Sequence, residues 1–131
     1  MESGTACMIQ EKLELPGIER IRARFLDMLK DRQSAIAEHA LIAWESDVLD
    51  EINGNLAGAR TILHQIAGTA GSLGFKDLGV RARTCEVEID AHLNGPDADL
   101  AICPATLIFV MDTFLQESEA LIAANQQTVS A

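Results

Sequence analysis

Aromatic side chains are scarce in this sequence of 131 residues: there is no tyrosine, one tryptophan and four phenylalanines. Rings can supply only a small part of a core. The apolar mass must come from Ala, Leu and Ile, a mixture that favours helices. Positive charge is also in short supply, with ten Lys and Arg against twenty Asp and Glu and a net charge of −10. That balance argues against nucleic acid or an anionic membrane surface as a partner, because both demand a basic face. Cysteine is limited to Cys7, Cys85 and Cys103, far apart and without CxxC spacing. An odd count with no second ligand at metal spacing disfavours both a disulfide framework and a zinc site, so these residues read as reduced, packing thiols. No apolar run approaches the ~18 residues of a membrane span. The leading MESGTACMIQEKLELPG has neither the basic nor the apolar region of a signal peptide. The expected location is cytoplasmic, and the Met1 start is read as favouring a free-standing chain.

What is present is an apolar fraction of 48%, enough to fold around one core. Residues 1–15 read as a loose arm with room for a short leading helix. Pro16 suits the first turn of a helix, where its missing N–H is not needed. Ile18, Ile21, Phe25, Met28, Leu29, Ile36, Ala40 and Ala43 then recur at steps of three and four. This predicts an amphipathic helix to about Trp44, with a bend near Asp31–Ser34. Glu45–Asn55 reads as a connection, and Asn55 as the cap of a second helix whose stripe is Leu56, Ala59, Leu63, Ile66, Ala70 and Leu73. Gly74 to Asp77 ends or bends it. A third helix buries Leu78, Ala82, Cys85 and Ile89 and stops at Asn94-Gly95-Pro96. A fourth, beginning after Asp99, carries Leu107, Val110, Met111, Phe114, Ser118 and Leu121. The expectation is an all-α, antiparallel four-helix bundle over 16–125, with a polar, fraying tail over 126–131.

The stretch LHQIAGTAGSLGF (63–75) stands out, because three glycines in a helix cost about 2–3 kcal/mol in propensity. At roughly 100° per residue, His64 lies off the core stripe, with Arg60, Thr61, Ala67 and Gly68 as its neighbours and Gly71 one turn on. Small residues there would let a partner reach the imidazole. Spacing alone leaves a second reading open, in which His64 is a solvated surface residue and the glycines only let helices pack closely. His39 and His92 have no such setting and read as ordinary, partly exposed residues. Between Gly54 and Cys85 the cations Arg60, Lys76, Arg81 and Arg83 face a single acid, Asp77. Such a patch suits an anionic group, although chance clustering on a solvated face explains it equally well.

HQIAGTAGSLGF, followed by CEVE, resembles the histidine-containing phosphotransfer (HPt) domain, and is similar to the phosphotransfer domain of chemotaxis histidine kinases. The family pattern runs His-x-apolar-Lys-Gly-small-small-x-x-apolar-Gly. His64, Ile66, Gly68, Thr69, Ala70, Leu73 and Gly74 match it, and Ala67 replaces the lysine. The resemblance implies that His64 accepts a phosphoryl group from a receiver-domain aspartate or a histidine kinase and passes it to a response regulator. It implies that Glu86 orients the ring and leaves Nε2 to attack. Either Arg60 or Arg83 would then stand in for the missing lysine, or phosphorylation would be weaker and the partner would supply the positive charge; Thr61, Gln65, Ala67, Gly68, Gly71, Phe75 and Lys76 would meet the docked receiver. It further implies a monomeric phosphocarrier rather than an enzyme, with no cofactor of its own and Mg²⁺ held by the receiver. No nucleotide-binding signature is present. Ala67 keeps a different reading alive: an HPt-like module that regulates a kinase or response regulator by docking, without carrying phosphate. A plain structural bundle is a further reading. A metal-carboxylate bundle would need paired Glu-x-x-His motifs, which the sequence lacks.

Overall fold

The computed structural model describes residues 16–130, with side chains described for 17–126. Four α-helices account for most of them: α1 (Pro16–Glu45), α2 (Leu49–Ala70), α3 (Lys76–Leu93) and α4 (Ala105–Ser130). Short 3-10 turns, Gly71–Leu73 and Pro96–Asp99, lie in the second and third connections. Each helix packs against its sequence neighbours, and α4 closes the ring against α1. The cross-contacts give the directions. Arg22 and His39 of α1 meet Leu73 and Asn55 respectively. Arg60 and His64 of α2 meet Asp90 and Glu86 of α3. Arg81 and Cys85 of α3 meet Glu117 and Val110 of α4. In every pair the later residue on one helix lies beside the earlier residue on the next, so the bundle runs up-down-up-down.

Phe114, Leu29, Ile36, Ile52, Leu56, Leu63, Ile66, Ile89 and Met111 are fully buried at its centre. Burying such a side chain contributes about 1.5–3 kcal/mol relative to leaving it in water. One hydroxyl shares this interior: Ser118 Oγ donates to the Leu115 carbonyl at 2.9 Å and accepts from Gln33 Nε2 at 2.8 Å, which satisfies it and ties α4 to α1.

Three boundaries differ from the sequence reading. The first connection is only Ser46–Val48, and α2 begins at Leu49 rather than near Asn55. Ser46 Oγ accepts the Val48 N–H at 3.0 Å, and Asp50 and Glu51 fill the first turn, where carboxylates complement the helix dipole. Asn55 lies inside α2, its amide donating to the Glu51 carbonyl. α1 is one continuous helix through Asp31–Ser34. α4 continues to Ser130, through residues read as a tail. The reading of an arm over 1–15 lies outside the described residues. Among the described residues, no helix is long and apolar enough to cross a membrane.

The end of α2 is closed by a Schellman arrangement. Gly74 adopts φ 91°, its N–H reaches the Gly71 carbonyl at 3.2 Å, and the Phe75 N–H reaches the Ala70 carbonyl at 2.9 Å. A side chain at position 74 would be strained by that φ. Arg22 Nε donates to the Leu73 carbonyl at 2.8 Å, capping a group the helix leaves without a partner. Phe75 stacks on Phe25 with centroids 5.5 Å apart, pinning the corner to α1.

Candidate functional site

His64 sits between the buried Leu63 and Ile66 of α2 but points away from the core, with its side chain 66% exposed. Glu86 faces it from α3 and is only 12% exposed. His64 Nδ1 lies 2.7 Å from Glu86 Oε2. A carboxylate accepts, so this pairing puts a proton on Nδ1, and in the neutral ring Nε2 then carries the lone pair on the side away from Glu86. Glu86 follows the buried Cys85 and lies three residues before the buried Ile89. The helix thus holds the carboxylate low against the bundle, where the imidazole can reach one oxygen. The other oxygen, Oε1, is buried without a hydrogen-bond partner, and the nearby Arg83 guanidinium stands 3.9 Å from it.

The pairing belongs to a regular ladder between α2 and α3. Arg60 Nη1 meets Asp90 Oδ1 at 2.9 Å one turn before His64 and Glu86. At the other end, a Cβ on Gly79 would meet the Gly71 amide nitrogen at 3.4 Å and the Ala67 carbonyl at 3.7 Å. The two helices therefore lie close together at Gly79, which faces Ala67, Ala70 and the Gly71 backbone.

The glycines of 63–75 serve different ends. Gly74 is required by its left-handed backbone. At Gly68 and Gly71 a Cβ would meet nothing within 4 Å. Close helix packing therefore does not demand either glycine, and both border open space beside the histidine.

The remaining predicted residues divide. Thr61, Gln65 and Gly68 are exposed on the same stretch of α2 as His64, with the Thr61 hydroxyl turned back to the Ala57 carbonyl at 3.1 Å. Ala67, Gly71, Lys76 and Arg83 share a groove of about 530 Å³ with Gly79, Val80, Thr84, Val87 and the acid Glu88. Phe75 is not part of this cluster. It is half-buried on Phe25 and lines a separate groove toward α4. Arg60 is held by Asp90, and Arg81 by Glu117 at 2.8 Å, so acids from α3 and α4 offset part of the predicted basic patch. Sequence reasoning missed Asp90. The i, i+4 spacing from Glu86 puts the two acids on one face of α3 and could have found it. Among the described residues, no cluster of three or more His, Cys, Asp or Glu is arranged to hold a metal ion.

The cysteines and the other two histidines have different surroundings. Cys85 is buried, its thiol donates to the Val110 carbonyl at 3.0 Å, and burial pushes its pKa up to about 12. Burial also raises Cys103. His39 Nδ1 lies 2.8 Å from Asn55 Oδ1, while His92 Nε2 is buried without a partner. No family model, curated protein or solved structure matches this chain.

Proposed function

We propose that this chain is a histidine phosphotransfer protein of a two-component phosphorelay, with His64 as the phosphoacceptor. One observation carries the reading: an exposed imidazole whose Nδ1–H is fixed by a nearly buried carboxylate on the facing helix, leaving Nε2 open. Phosphoryl transfer asks mainly for a positioned nucleophile and neutralised charge. The Nε2 lone pair attacks the phosphorus of a receiver's aspartyl phosphate, the P–O bond breaks, and the aspartate leaves as a carboxylate. Nδ1 keeps its proton throughout, and Glu86 balances the charge gained by the ring. The open ground at Gly68 and Gly71 lets the receiver's backbone approach. The second transfer, to another receiver aspartate, reverses these steps. A histidine kinase is the alternative donor. The chain is a carrier without turnover of its own, acts as a monomer in the cytoplasm, and leaves Mg²⁺ to the receiver.

The test is phosphate transfer from phosphorylated receiver domains to the wild-type chain and to His64→Gln. An acid-labile, alkali-stable label on the wild type alone is the expected result. Label surviving in His64→Gln would sink the assignment. Measurable binding to a receiver without label would favour the docking module, with Ala67 as its mark.

A further inference from the structure

A phosphoryl group on Nε2 would bring two negative charges to a site that already holds the acid Glu86. Such charge needs a cation within reach. Arg60 and Arg81 are each engaged at hydrogen-bond distance, with Asp90 and with Glu117. Arg83 differs. Its side chain is 66% exposed, and its approach to Glu86 Oε1 is long, at 3.9 Å.

Register places Arg83 one turn from the His64–Glu86 pair. Steps toward the C-terminus of α2 are matched by equal steps toward the N-terminus of α3: position 60 meets 90, 64 meets 86, and 71 meets 79. The same register sets 83 opposite 67, one turn beyond the His64–Glu86 pair. Position 67 is alanine, and Ala67 and Arg83 line one groove. A larger side chain at 67 would stand in the path of the guanidinium, whereas alanine leaves the path open.

We infer that Arg83, rather than Arg60, is the residue that binds the phosphoryl oxygens on His64, leaving its loose contact with Glu86 to cross the space above Ala67. The inference rests on the phosphoacceptor reading of His64, but its test needs no partner protein. Phosphoramidate, a small donor, would phosphorylate the exposed ring directly. The Nε2 lone pair forms the new N–P bond, the donor's P–N bond breaks, and ammonia departs with that electron pair.

The measurements are the rate of labelling and the NMR cross-peak of the Arg83 Nε–H group, assigned by its absence in Arg83→Lys. The cross-peak is expected to move on phosphorylation. Labelling is expected to slow on the order of tenfold in Arg83→Ala, the scale of one charge-assisted hydrogen bond. It should largely recover in Arg83→Lys, and in Arg83→Ala combined with Ala67→Lys, which offers a cation from the opposite side of the groove. An unmoved cross-peak with a wild-type rate in Arg83→Ala overturns the inference. So does a slowed rate that lysine at 67 fails to restore, since Arg83 would then only prop Glu86. A chain that phosphoramidate labels with Arg83 engaged, but that no receiver or kinase labels, would count against the relay and not against the arginine.

Discussion

Two histidines of this bundle make the same first contact and come to opposite ends. His39 and His64 both engage a side-chain oxygen on the facing helix through Nδ1, at 2.8 and 2.7 Å. The partner of His39 is the amide oxygen of Asn55, oriented by the donation of Asn55 Nδ2 to the Glu51 carbonyl. The partner of His64 is a carboxylate. The second nitrogens differ more. His39 lies across Gly58, where a Cβ would come within 2.8 Å of its Nε2, so α2 closes that side of the ring. His64 has open ground at the neighbouring glycines. An anchored imidazole is thus a structural strut or a candidate nucleophile according to the charge of its anchor and what covers its far nitrogen.

The contrast can be broken most sharply at the rings. Chemical labelling with phosphoramidate should modify wild type and His39→Gln alike and fail entirely in His64→Gln, as read by mass spectrometry of the labelled peptide. Equal labelling of His39 would show that coverage by α2 does not protect it. The anchors come next. Glu86→Gln gives His64 the kind of neutral partner that His39 already has. Its labelling should fall roughly tenfold, the difference between a charge-assisted and a neutral hydrogen bond. The reverse change, Asn55→Asp, should leave His39 unlabelled, because its far nitrogen remains covered.

The glycines sharpen the same comparison through stability. Gly68→Ala adds a methyl group to open space and should raise stability by about 1 kcal/mol, or roughly 3–5 °C in Tm. It should slow transfer from a receiver more than labelling by phosphoramidate. Gly58→Ala drives a methyl group into the His39 ring and should lower stability by about 1 kcal/mol despite its better helix propensity. Thermal unfolding of the two variants should therefore shift in opposite directions.

The smallest expected effect concerns Cys85, which precedes Glu86 but is buried in the core against α4. Its thiol stays protonated in the folded chain up to about pH 12, against an ordinary value of 9.0. The unfolded chain thus loses this proton first. The contribution is fully present below about pH 9 and is lost as pH rises toward 12. Denaturant midpoints should fall more steeply over that window in wild type than in Cys85→Ala, while Cys85 resists thiol reagents at neutral pH.

Much of the bundle was legible because its core is periodic. Leu56, Ala59, Leu63, Ile66 and Ala70 were expected inward and are buried, and Ile52 extends the same stripe back by a turn. That turn was misread because Asp50, Asn53, Gly54 and Asn55 look like breakers one at a time. Asp50 and the neighbouring Glu51 favour a helix start, and Asn55 has a cross-helix partner in His39 that no local rule supplies. At the site, the family resemblance led to Glu86 beside His64, where the structure places it. The engagement of Arg60 by Asp90 needed the register between two helices. The glycines were least legible of all. Gly58, Gly68 and Gly74 are the same letter, yet one sits under a ring, one meets open space and one turns left-handed, and only the surroundings of each distinguish them.

The corner between α2 and α3 has a further consequence. It is tied three times, by left-handed Gly74, by Arg22 on the Leu73 carbonyl and by Phe75 on Phe25. Two helices joined by so firm a corner have little slack to lose, so a protein meeting the His64 face would find it already in its bound shape. Docking then carries a small ordering cost. Its rate would be set by how often two surfaces meet in the right orientation, not by how fast this one rearranges.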